Sequence, residues 1–166
     1  MTKKILWLLF AMITTLGVSA QNKHVTWKYS SNQLENGNVE LLFEATIADG
    51  FRLYSPFNPQ GASRPLEITL EQSPLYTTVG QIVECGKPEE HFEEMFNVTE
   101  KFFKGNASFK ITIKPAKNEP FNVAGKVTGQ VCNDQFFCAR VLEDFSIPVT
   151  PASNAQKKKT VTSNKK

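Results

Sequence analysis

A chain of 166 residues, 40% hydrophobic and 21% charged, is long enough to bury one real core and fits one domain with flanking segments. Its net charge of +3 is unevenly placed. Two lysines lie before residue 20 and five after residue 156, so residues 21–152 carry a net −4 and offer no basic surface for nucleic acid.

In chain order, Lys3 and Lys4 precede an apolar run over residues 5–16, and the small residues Val18-Ser19-Ala20 follow. This pattern predicts a secretory signal peptide over 1–20, cut before Gln21. The apolar run is short for a bilayer span. No cysteine follows the cut, which argues against a lipid-anchored amino terminus. The mature product is expected to be exported and soluble, with no membrane span.

Strand signals then dominate. Residues 25–29 open the set. Val39, Leu41, Phe43, Ala45 and Ile47 alternate with Glu40, Leu42, Glu44 and Thr46, a period of two with one apolar face. Ala107, Phe109, Ile111 and Ile113 repeat it, and residues 66–71 and 77–84 add two more strands. Asn36-Gly37-Asn38, Asp49-Gly50 and Lys104-Gly105-Asn106 are turn signals between them. Residues 89–103 have poor helical phasing and hold at most a turn or two of helix. The prediction is all-β: an antiparallel β-sandwich of immunoglobulin type over 21–152. Residues 153–166, polar and lysine-rich, are expected to be a disordered tail.

Three cysteines are too few for a disulfide scaffold and wrongly spaced for zinc. Cys85 ends a predicted strand and reads as a buried or half-buried free thiol. Cys132 and Cys138 are different. Five residues separate them, at the ends of two strands that read as a hairpin. In residues 121–131 the odd positions form the core face, and Cys132 belongs to the even set. In the next strand Val141, Phe145, Ile147 and Val149 form the core set, marred by Glu143, and Cys138 has the opposite parity. Without a bulge, both sulfurs lie on the outer face. Facing side chains at about 4.5–5.5 Å between Cβ atoms can be bridged with small shifts. Closing so short a ring removes only about 2.4 kcal/mol of unfolded-chain entropy. The residues alone leave both a redox-active and a structural disulfide open. Asp134, inside the loop, would tend to raise a thiol pKa. No Cys-x-x-Cys and no helix amino terminus is present to stabilise a thiolate.

The run Gly125-Lys126-Val127-Thr128-Gly129-Gln130-Val131-Cys132-Asn133-Asp134, through Cys138 to Phe145-Ser146-Ile147-Pro148-Val149, resembles the amino-terminal periplasmic domain of the thiol:disulfide interchange protein DsbD. So do Val25-Thr26-Trp27 and Ala48-Asp49-Gly50-Phe51-Arg52-Leu53-Tyr54-Ser55. The resemblance covers most of the mature chain. It implies an immunoglobulin-like domain that relays electrons, as a protein-disulfide reductase needing no cofactor. Its donor and acceptor would be thioredoxin-fold proteins, in the periplasm. Cys138 would be the first thiol to react and Cys132 the resolving one. It also implies a cap loop, here His91-Phe92-Glu93-Glu94-Met95-Phe96-Asn97, with Met95 or Phe96 over the sulfurs and Glu93 and Glu94 beside them. Tyr54 matches a tyrosine near the active site, and Asp134 is a further neighbour. Two departures stand out. Ala139-Arg140-Val141 replaces the proline pair that commonly follows the second cysteine, and neither a membrane conduit nor a thioredoxin-like domain is present, which predicts a free-standing module. A weaker reading is copper held by Cys132, Cys138, Met95 and His91.

Overall fold

The alternation read from the sequence is the alternation of burial in space. The structure is a computed structural model describing residues 24–61, 63–135 and 137–151. The signal segment 1–20 and the tail 153–166 lie outside the described residues.

Among the described residues ten strands form two sheets, all neighbours antiparallel. The first sheet has the order β1 (Val25–Gln33), β2 (Val39–Ile47), β8 (Asn106–Pro115), β5 (Tyr76–Cys85). The second has the order β10 (Cys138–Val149), β9 (Phe121–Asn133), β3 (Phe51–Tyr54), β7 (Val98–Phe103), β6 (Glu89–Glu93), and β4 (Glu67–Leu70) also pairs with β9. The result is an immunoglobulin-like β-sandwich.

The core lies between the sheets. Leu41, Phe43, Phe109 and Ile113 from one sheet meet Val123, Val127, Val131, Val141 and Ile147 from the other, all fully buried. Aromatic rings lock the layers together: Phe43 meets Phe145 edge-on at 5.1 Å, and Phe103 meets Phe109 at 5.6 Å. Each such buried side chain contributes roughly 1.5–3 kcal/mol of burial. Gly125 has a steric reason for being glycine. A Cβ there would sit 2.2 Å from the Thr69 carbonyl oxygen on β4 and 2.5 Å from the Phe145 ring.

The expected helical turns over 89–103 are instead the β6–β7 hairpin. Its sequence hides the strand because β6 is an edge strand exposed along most of its length, so it needs no apolar alternation. Cys85 is a half-buried free thiol at the end of β5, as its position in the sequence indicates.

Candidate active site

β9 and β10 pair without a register shift from Phe121↔Val149 to Cys132↔Cys138, so the two cysteines face each other at the end of the ladder. Just beyond them the Asn133 N–H donates to the Phe137 carbonyl at 2.9 Å. The cysteines therefore occupy a non-hydrogen-bonded position, where facing side chains approach most closely. Their Cα atoms are 4.1 Å apart and the sulfurs are bonded. The unshifted register puts both on the outer face of the sheet, as parity indicates.

The two sulfurs are not equally accessible. Cys138 is exposed, whereas Cys132 is 3% exposed and packs with Tyr54 and Phe102 in a small cluster separate from the main core. Sharing the outer face therefore leaves only Cys138 open to solvent. The outer face is covered here because β3 and β7 bring Tyr54 and Phe102 side by side in register, with their rings 6.3 Å apart.

A cavity of about 250 Å³ opens beside the pair and touches both cysteines. β3 places Arg52 directly opposite Cys132. The Arg52 guanidinium lies 5.1 Å from the centre of the Phe102 ring and donates to Asp134 at 2.8 Å. Asp134 is thus beside the site, but its charge is matched by Arg52, so it does not act on the thiols as the isolated anion expected from sequence. Gln130, on the same face of β9 as Cys132, accepts the Arg64 N–H at 3.0 Å and donates its amide N–H to the Cys132 sulfur at 3.4 Å. Glu100 is buried and accepts the Ser63 N–H at 2.9 Å. The Tyr54 hydroxyl is held above the usual phenol pKa, chiefly by burial, with a hydrogen bond to Ser63 pulling down and Glu100 pushing up.

The β6–β7 turn caps the cavity. Asn97 takes a positive φ of 52° and its N–H donates to the Glu94 carbonyl at 3.3 Å, which turns the chain over. Glu93 accepts the Met95 N–H at 3.3 Å. Glu93, Met95 and Phe96 line the cavity, while Glu94 is exposed outside it. Met95 is 81% exposed, and Phe92, Phe96 and Phe137 are also largely open, so none belongs to the core. Met95 and Phe96 give the cavity that holds the sulfurs an apolar rim.

The structure thus brings together Cys132, Cys138, Tyr54, Glu93, Met95 and Phe96. It adds Arg52, Gln130, Ser63 and Glu100, which sequence reasoning passed over. Parity held a signal for two of them: Gln130 shares the face of Cys132, and Arg52 shares the face of Tyr54. Ser63 and Glu100 arrive through a loop and an unrecognised strand. Among the described residues no cluster of His, Cys, Asp and Glu is arranged to hold a metal. His91, needed for the copper reading, is exposed on β6 and does not line the cavity.

The family model described as thiol:disulfide interchange protein DsbD, N-terminal, matches residues 20–150. The chain belongs to this family. No curated protein matches the sequence. Among solved structures, the N-terminal periplasmic domain of ScsB from Proteus mirabilis aligns over 84% of this chain at 18% identity, with a TM-score of 0.55. The chain spans about half of that one, 53%. The complex between the DsbD N-terminal and PilB N-terminal domains from Neisseria meningitidis aligns over 82% of this chain and 95% of that one, at 18% identity and a TM-score of 0.50. At such identities the likeness establishes the DsbD-type immunoglobulin-like fold. Family membership and the bonded cysteine pair together place the chain in thiol:disulfide interchange at the level of the family. No helix among the described residues is long and apolar enough to cross a membrane.

Proposed function

We propose that this domain relays electrons in the periplasm by dithiol–disulfide exchange between the Cys132–Cys138 pair and thioredoxin-fold proteins. The observation that carries the reading is the unequal exposure of the two bonded sulfurs beneath a cap. Exchange requires in-line attack by a thiolate on an accessible sulfur. Cys138 offers that sulfur and Cys132 does not. A donor thiolate attacks the Cys138 sulfur, the S–S bond breaks, and its electron pair leaves on Cys132. The donor's second thiolate then displaces Cys138 and closes the donor's own disulfide. The pair is left reduced by two electrons and takes up two protons. Donation to an acceptor runs the same steps backwards, with Cys138 attacking and Cys132 resolving.

The apolar rim of Met95 and Phe96 suits a partner that displaces the cap as it docks. The complex of the Neisseria DsbD N-terminal domain with the PilB N-terminal domain supports a protein partner. Met95, Phe96 and Glu93 act as the shield, with Glu94 at its outer edge and Tyr54 and Asp134 as neighbours of the sulfurs.

A second reading is a non-catalytic binding module with a structural hairpin disulfide, favoured by the burial of Cys132 alone. Equilibration with glutathione or dithiothreitol separates the two. A relay requires a potential near those of thioredoxin-type proteins, above about −300 mV. A potential well below that value supports the structural reading and ends the relay.

A further inference from the structure

In the exchange just proposed, the electron pair of the broken S–S bond leaves on Cys132, which is 3% exposed. A thiolate formed there is cut off from water, and a buried anion without compensation is costly. The usual remedy in disulfide exchange proteins, a helix amino terminus, is absent among the described residues.

We propose that Arg52 and Gln130 form an anion site for the Cys132 leaving thiolate. This rests on the relay reading and specifies how its buried sulfur is made a competent leaving group. Three observations converge. Arg52 is the direct cross-strand partner of Cys132 on β3, which puts their Cβ atoms about 4.5–5.5 Å apart. Its guanidinium is held over Phe102, which packs against Cys132, and its Nε is buried with no hydrogen-bond partner. Gln130 already donates to the Cys132 sulfur, and its amide is oriented by the Arg64 N–H, which binds the carbonyl end and leaves the NH₂ end for sulfur.

Other charged groups bear on the same position. Asp134 in the loop competes for Arg52. Glu93 from β6 and Glu100 from β7 line the cavity and oppose a thiolate. Arg140, beside Gln130 across β10, and Lys104, 5.4 Å from the Phe102 ring centre, favour one. Tyr54 is neutral at ordinary pH like any phenol, and burial raises its pKa further. Arg52 is the cation directly opposite Cys132 in the strand register, and Gln130 is a donor in contact with its sulfur. As Cys132 acquires charge, Arg52 exchanges part of its pairing with exposed Asp134 for the thiolate.

The test uses the full mature chain carrying Cys138→Ala, in which Cys132 is the pair's remaining thiol and thiolate absorbance at 240 nm reports its titration against a Cys132→Ala/Cys138→Ala blank. Arg52→Gln raises the Cys132 pKa by about one unit, a tenfold loss of thiolate below that pKa. Arg52→Lys restores part of the shift. Asp134→Asn moves the pKa down, the opposite direction, and guards against a result that reflects only poor folding of the arginine variant. In the intact pair, Arg52→Gln and Gln130→Leu each slow reduction by dithiothreitol about threefold, because a leaving thiol of higher pKa departs more slowly. An unchanged Cys132 pKa in both Arg52→Gln and Asp134→Asn overturns the anion site, even if the wild-type pair is readily reduced and the relay stands. A wild-type disulfide that resists reduction strikes at the relay instead, and the Cys132 titration still decides the anion site.

Discussion

β9 has two buried surfaces back to back. Its inner face presents Val123, Val127 and Val131, each fully buried against the opposite sheet. Its outer face, at the Cys132 end, is buried as well, but by Tyr54 and Phe102, with Gln130 and Arg52 alongside. The first surface is held by packing that no proton or electron alters. The second holds the disulfide, with Gln130 donating to the Cys132 sulfur and Arg52 paired with Asp134. The strand's period of two keeps these environments apart, so chemistry on one side need not loosen the core on the other.

The largest effect should come from the inner side. Phe43→Ala, which opens a cavity at a fully buried position, costs about 3–5 kcal/mol in chemical denaturation. It leaves the reduction potential of the cysteine pair unchanged. A shifted potential would break the separation of the two faces. Gly125→Ala forces a methyl against the Thr69 carbonyl and costs about 1–3 kcal/mol, read from the same denaturation midpoint.

Reducing the disulfide should cost less, at most about 2.4 kcal/mol by loop entropy. A larger loss would mean that the outer surface is structural after all. Next comes alkaline pH. Tyr29, Tyr54 and Tyr76 all have their pKa raised above 10.0, chiefly by burial. The folded state keeps these protons when the unfolded chain has lost them. The stability they contribute is fully present below pH 10 and is lost as pH rises through the folded values. Urea midpoints between about pH 8 and 11 should fall, and Tyr54→Phe should shallow that fall. The smallest effect is at the cap. Met95→Ala should change stability by less than about 0.5 kcal/mol, since the side chain is open to solvent. It should speed alkylation of reduced Cys138 by iodoacetamide, and an unchanged rate would remove Met95 from the shield.

Much of this was legible in the sequence where one face meets the core and the other meets solvent. β2 was read to its ends, because Val39 to Ile47 alternate cleanly. The facing of the two cysteines followed from parity and an unshifted register. Parity could not show that the outer face is covered, since that depends on β3 and β7, which are distant in sequence. β6 was missed because it is largely exposed, and with it went the β6–β7 pairing that positions Glu100. Arg52 reads as an ordinary exposed arginine until β3 is laid against β9.

The most direct measurement is trapping in the periplasm with variants that keep one cysteine of the pair, in a Cys85→Ala background. Cys132→Ala, which keeps the exposed sulfur, should accumulate a mixed disulfide through Cys138 with a thioredoxin-fold protein lacking its own resolving cysteine. Cys138→Ala, which keeps the buried sulfur, should form little or none. Equal trapping by both variants, or none by either, would contradict the account.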